Sequence, residues 1–238
     1  MRIKRLIGYY RYWKSYFVFK KQLAASGRHL SIRRLPIVHE FSTTHGFDRH
    51  YVYHPAWAAR ILAKTRPKKH IDIASTLHFS TIISAYIPTE FYDFRKVLLS
   101  LDNLQTGRAD LTTLAFPNNS ISSLSCMHTV EHIGLGRYGD SVNVHGDTQA
   151  MRELERVLTP GGNLLFVVPV GKPAVIFNAH RIYSFEDIIG NFPSLELVEF
   201  ALVPDNVKEG LIIGASPEFV SQQSYGCGCF WFKKKNIL

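Results

Sequence analysis

The chain is 238 residues long, 46% hydrophobic and 20% charged, proportions of an ordinary globular protein that argue against disorder, a collagen-like fibre or a coiled coil. Its net charge of +9 is unevenly spread: residues 1–39 hold ten Lys or Arg and no Asp or Glu, and the first carboxylate is Glu40. Taking those ten from 28 leaves 18 basic residues against 19 acidic ones over residues 40–238, so a chain basic throughout, as a nucleic-acid coat would be, is excluded.

Residues 1–25 mix bases with aromatics. At helical spacing Lys4, Arg11, Lys14 and Lys21 fall within roughly 100° of arc, with Leu6, Tyr10, Trp13 and Phe17 beside them. Such a helix suits an anionic membrane surface, or it packs its aromatic face on the protein body and solvates its bases. Residues 26–50 lack periodicity and read as a connector or lid, so the expected division is 1–50 and 51–238. Pro55 to Ala63 predicts a helix with Pro55 in its first turn. Strands are expected at His70 to Ser75, Glu90 to Phe94, Val97 to Leu101 and Ile121 to Met127, with a helix over Phe79 to Ala85. Residues 147–158 give the clearest helix, with Ala150, Met151, Leu154, Val157 and Leu158 on one face, stopped by Pro160-Gly161-Gly162. The apolar run Leu164 to Val168 predicts a strand buried on both faces, and Leu195 to Val203 and Cys229 to Phe232 two more. The alternation predicts a doubly wound, Rossmann-like α/β sheet.

Three cysteines, Cys126, Cys227 and Cys229, are too few for a disulfide framework and read as thiols in a reducing compartment. No metal site is expected from them. No apolar run approaches the roughly 18–20 residues that span a bilayer, and Lys14, Lys20 and Lys21 break any signal-peptide centre, so a cytoplasmic location is expected.

Candidate functional residues gather at predicted strand ends, where open α/β sheets bind ligands. Asp72 lies in the first strand, before the turn Ala74-Ser75-Thr76-Leu77-His78. Asp93 ends the second strand 21 residues later, the spacing at which a carboxylate accepts from a bound ribose. Asp110 precedes Leu114-Ala115-Phe116-Pro117. The fourth strand runs into His128-Thr129-Val130-Glu131-His132.

With that order of motifs, and with Glu153-Leu154-Glu155-Arg156-Val157-Leu158-Thr159-Pro160-Gly161-Gly162 following, residues 54–203 resemble the class I S-adenosylmethionine-dependent methyltransferases. Residues 131–140 (Glu-His-Ile-Gly-Leu-Gly-Arg-Tyr-Gly-Asp) and 178–183 (Asn-Ala-His-Arg-Ile-Tyr) look like a bacterial branch known as a domain of unknown function and often met in surface-polysaccharide gene clusters. The resemblance implies a seven-stranded methyltransferase sheet with an antiparallel final strand and S-adenosylmethionine over the first two strand ends. By position, Asp93 would hold the ribose hydroxyls, Asp110 and Leu111 would border the adenine, and His128 would lie beneath the methyl donor. The family's first loop reads acid-x-Gly-x-Gly-x-Gly, whereas Ala74, Thr76 and His78 stand at the glycine positions here. Either the loop takes another path, with the Ser75 and Thr76 hydroxyls on the cofactor carboxylate, or binding is weakened or lost. Restoring glycine at 76 and 78 is expected to tighten binding.

Methyl transfer to a hydroxyl needs a base, and His128 and His132 are the best-placed candidates, with Glu131 to orient one of them. Arg137, His180 and Arg181 are candidate acceptor-binding residues, Arg181 for a carboxylate or phosphate. The glycine-rich loop Gly134 to Asp140 reads as an acceptor-side lid. The expected activity is O-methylation of a sugar or glycolipid intermediate of surface polysaccharide synthesis, at the inner membrane face. The alternative is a methyltransferase-shaped interaction protein without catalysis. A nucleic-acid partner is not expected, because no Asn-Pro-Pro-Tyr type motif follows the fourth strand.

Overall fold

The computed structural model describes residues 2–38 and 45–236, with residues 2–4 as backbone only, so the expected connector over 26–50 lies partly outside the described residues. In chain order the elements are α1 (Arg2–Ala25), α2 (Arg49–Thr65), β1 (His70–Ile73), α3 (Leu77–Ile83), β2 (Thr89–Asp93), β3 (Leu104–Arg108), β4 (Ile121–Met127), a single 3-10 turn (Val130–His132), α4 (Gly146–Val157), β5 (Leu158–Val170), β6 (Ala174–Ile176), β7 (His180–Ile182), α5 (Phe185–Asn191), β8 (Leu195–Val203), β9 (Ile212–Ile213), α6 (Pro217–Ser221) and β10 (Gly226–Lys234). They form two compact units, Met1–Phe47 and Asp48–Leu238.

In the first unit α1 is the helix expected over 1–25. A Cβ at Gly8 would come within 2.5 Å of the Val38 carbonyl oxygen, so glycine there admits the segment that folds back onto the helix. Leu6, Tyr10 and Phe17 are exposed, and Trp13 sits edge-on to Tyr12 and Tyr16.

The second unit is a Rossmann-like sheet between helices, of the class I methyltransferase type. Its strand order is β3-β2-β1-β4-β5-β10-β8-β9. β3, β2, β1, β4 and β5 pair in parallel, and β10 runs antiparallel to both β5 and β8. That antiparallel final strand was expected. The count of seven is corrected to eight, because Ile212–Ile213 adds a short edge to β8. β6 and β7 form a separate antiparallel hairpin.

Period-two alternation divides the core between the faces. From β5 and β10, Leu164, Phe166, Val168, Phe230 and Phe232 join Met151, Leu154 and Val157 of α4. The intervening Leu165, Val167, Cys227 and Cys229 meet Trp57, Ile61 and Leu62 of α2 and Phe79 and Ile83 of α3. Each such side chain contributes roughly 1.5–3 kcal/mol through burial.

Several expected boundaries are corrected. α2 starts at Arg49, capped by Asp48, whose side chain accepts from the Tyr51 N–H, so Pro55 lies inside the helix. Val97 to Leu101 is not a strand: Leu98 is 86% exposed, and the third strand is Leu104–Arg108. Pro160-Gly161-Gly162 does not stop α4, which ends at Val157. These residues lie inside β5 as a bulge, between the pairs Ile121–Leu158 and Ser123–Asn163.

Candidate functional site

A cleft of about 310 Å³ opens over the carboxyl ends of β1, β2 and β4. That volume lies at the lower end of the usual range for small-molecule sites, about 300–1,000 Å³. Ala74, Asp93, Asp110, Leu111, His128 and His132 line it, with Gly134, Tyr138 to Ser141 and Asn143 of the following loop. Asp93 Oδ1 accepts from the Arg95 N–H at 2.8 Å, and Asp110 Oδ1 from the N–H and hydroxyl of Thr112 at 2.8 and 2.7 Å. Each aspartate is thereby fixed through one oxygen, which leaves the other for a ligand.

Three residues expected at this ligand are used elsewhere. Asp72 is fully buried beneath the loop. Its Oδ2 accepts from the Ser80 hydroxyl and its Oδ1 from the Ser125 hydroxyl at 2.6 Å. With its proton committed to Asp72, Ser125 accepts from His70 Nε2 at 2.9 Å, and His70 Nδ1 accepts from Ser123 at 2.8 Å. Burial lowers His70 to about 3, which keeps it neutral. Burial also raises Asp72 to about 6, against the lowering effect of the serine hydroxyls. Ser75 Oγ accepts from the Met127 N–H at 3.0 Å, and Thr76 caps α3 by accepting from the Phe79 N–H. Both hydroxyls thus have partners within the protein, and neither residue is among those lining the cleft.

The missing glycines have a local explanation. Among the three substituted positions only Ala74 has a positive φ, +56°. Thr76 sits at φ −83°, relaxed for a β-branched residue, and His78 is exposed. Their side chains therefore do not fill the space that glycines would have left open.

His128 ends β4 with φ +55°, a costly conformation for a non-glycine residue. Its Nδ1 donates to Glu131 Oε1 at 2.8 Å, and His132 Nε2 lies 3.7 Å from the same oxygen. The 3-10 turn thus brings the three expected catalytic residues around one buried carboxylate. Burial opposes a charge on His128, but its neighbours Cys227 and Glu131 outweigh this and push it up to about 10. Burial lowers His132 instead, against the pull of Glu131. His132 Nδ1 is 2.5 Å from the Ala179 carbonyl oxygen, which fixes the proton there and leaves Nε2 as the acceptor.

Of the expected acceptor-binding residues, Arg181 is corrected. It is buried, donates to the Ile133 carbonyl at 2.7 Å and pairs with Asp147 at 3.3 Å. Arg137 donates to the Ala179 carbonyl at 3.0 Å and stacks on Tyr138, and the His180 ring lies 4.7 Å from that of Tyr225. These bonds join segments 131–140 and 178–183 at the cleft rim. Asp140 pins the glycine-rich loop, accepting from the N–H groups of Gly134 and Tyr138 at 2.8 and 3.1 Å. Glu153 and Arg156 pair at 2.6 Å and hold the backbone of Leu114 and Phe116, a role the sequence alone does not disclose.

Two histidines outside the expected set also reach His128. His50 and His54 of α2 have ring centroids 5.2 and 5.1 Å from that of His128. Their spacing of one helical turn was the available signal, obscured because the expected helix began at Pro55.

The fold is of the class I methyltransferase type. The model of a family described as "Caenorhabditis protein of unknown function, DUF268" matches residues 84–192. The ubiquinone/menaquinone biosynthesis C-methyltransferase UbiE of Hahella chejuensis is 35% identical over 86 residues, 35% of this chain and 30% of that protein. The match thus spans under a third of that relative. Among solved structures, the N-methyltransferase NodS of Bradyrhizobium japonicum, in complex with S-adenosyl-L-homocysteine, aligns with a TM-score of 0.51 at 12% identity, over 76% of this chain and 86% of its own. The 1,6-didemethyltoxoflavin-N1-methyltransferase of Burkholderia thailandensis, with bound 1,6-didemethyltoxoflavin and S-adenosylhomocysteine, aligns with a TM-score of 0.54 at 10% identity, over 77% and 79%. At these identities the structural likeness speaks to fold. Among the described residues no helix is long and apolar enough to cross a membrane.

Proposed function

We propose that the protein is an S-adenosylmethionine-dependent methyltransferase acting on a small acceptor. The observation that carries this reading is the cleft over the strand ends, with Asp93 and Asp110 on one side and the His128–Glu131–His132 cluster on the other. Asp93 suits ribose hydroxyls, and Asp110 with Leu111 suits an adenine ring. The relatives enter only as precedent for the cofactor, since UbiE is a C-methyltransferase and NodS an N-methyltransferase by their names.

S-adenosylmethionine bound there supplies an electrophilic methyl group. His132 is the residue assigned to receive the acceptor's proton, at Nε2. Its Nδ1–H is held by Ala179, and burial keeps it neutral where the more basic His128 stays charged. Glu131 holds the His128 ring, and at 3.7 Å from His132 Nε2 it would stabilise the proton received there. Arg137, His180 and the loop from Gly134 to Asp140 form the acceptor side. The close resemblance of this rim to the polysaccharide-associated branch favours a sugar or glycolipid hydroxyl. The basic, aromatic α1 is assigned to an anionic membrane surface.

Isothermal titration with S-adenosylmethionine tests the reading. The full chain should bind it, and Asp93→Ala should weaken binding at least about tenfold, the loss of roughly 1.4 kcal/mol. No binding heat from folded protein at high cofactor concentration, across several temperatures, would overturn it.

A further inference from the structure

Beside the cleft, three elements bring nitrogen and sulfur donors together. His50 of α2, His128 at the end of β4 and Cys227 of β10 each offer a donor atom, and these three atoms lie within 4.8 Å of one another. His54, one turn along α2, is fully buried next to them.

Hydrogen bonding satisfies the cluster poorly. His128 Nε2 and the ring nitrogens of His54 are buried without a well-formed hydrogen bond, their polar neighbours being the Cys227 thiol and the His50 backbone. A buried polar atom left poorly paired costs up to about 1–3 kcal/mol, so an ion that takes these donors would relieve the cluster. Glu131 is already placed as it would be in a metal centre. By accepting from His128 Nδ1 at 2.8 Å, it turns Nε2 outward, the arrangement in which a ligating histidine is held by a carboxylate.

The donors also select the ion. Two imidazoles and a thiolate suit Zn²⁺-like borderline cations and disfavour Mg²⁺ and Ca²⁺, which take oxygen ligands. Three protein ligands leave one tetrahedral position, for His54 or a water.

We infer that His50, His128 and Cys227 form a binding site for a thiophilic divalent cation of the Zn²⁺ class. On binding, the Cys227 thiol and the His128 imidazolium each release a proton to solvent and coordinate as thiolate and neutral imidazole, so two protons leave as the dication enters. The ion would tie α2 to the end of β4 and to β10, and through His128 it would border the cleft.

Cobalt(II) is the probe, because it takes zinc sites and reports a sulfur ligand by thiolate-to-metal charge-transfer absorption. Chelator-treated full-length protein, titrated without added thiols, should take up about one Co²⁺ per chain in a tetrahedral environment with that absorption. Zn²⁺ should displace it and raise the melting temperature. Cys227→Ser should abolish the charge-transfer band, and Cys229→Ser should retain it. His50→Gln, at a partly exposed residue outside the hydrophobic core, should fold normally and bind Co²⁺ at least about tenfold more weakly. Failure to bind Co²⁺, binding without the charge-transfer band, or unchanged affinity in His50→Gln would each overturn the site.

Discussion

Asp72 illustrates how a residue can hold the expected position and serve another end. Its carboxyl lies under the cleft, tied to Ser80 and Ser125, and burial raises it to about 6. Because the folded value exceeds the ordinary one of 3.8, the folded chain retains this proton while the unfolded chain loses it. The associated stability is fully present below about pH 4 and is lost as pH rises through about 6, by up to about 3 kcal/mol. Denaturant unfolding across that window should show this fall in the natural protein and a flatter profile in Asp72→Asn. Thr76 carries a second residue-scale prediction, opposite in sense to the sequence expectation. Thr76→Gly removes the cap of α3 and should lower stability by up to about 1 kcal/mol without tightening cofactor binding, as thermal melts and titration would show. The position of Asp72 was legible from its strand. The serine network around it was not, because Ser80, Ser123 and Ser125 acquire meaning only when α3 and β4 pack beside β1.

Elements were legible where one pattern dominated. β4 and β8 have the expected bounds, since each spaces apolar residues over seven or more positions. β3 did not: Leu-Gln-Thr-Gly-Arg at a sheet edge carries little apolar signal, while the exposed leucines of residues 97–101 mimic a strand. Even its glycine is explained only by the neighbour, because a Cβ at Gly107 would strike the Tyr92 ring at 2.4 Å. The glycine-rich loop is tighter than its composition suggests. Gly134 has φ +78°, and a Cβ there would lie 2.1 Å from the Asn143 carbonyl oxygen. Gly134→Ala should therefore displace the loop, cost about 2 kcal/mol or more in thermal unfolding and widen the acceptor side of the cleft. A melting temperature matching the natural protein's would contradict the packing described.

At the scale of the whole molecule, the uneven charge separates two units with different chemistry. The ten bases ahead of Glu40 belong to the unit that contains α1, whereas the second unit places its acids at strand ends. The class of sheet and the Asp93–Asp110 side of the cleft were readable because spacing along the chain encodes them. The donor cluster was not, since Cys227 lies 177 residues from His50 and 99 from His128. The central claim is that this cleft is a nucleoside-cofactor site aimed at His132. A crystal structure of the full chain with S-adenosylhomocysteine tests it most directly. The account predicts the ribose hydroxyls on Asp93, the adenine between Asp110 and Leu111, and the sulfur facing His128 and His132. Ligand density elsewhere, or a cleft filled by its own side chains, would contradict it.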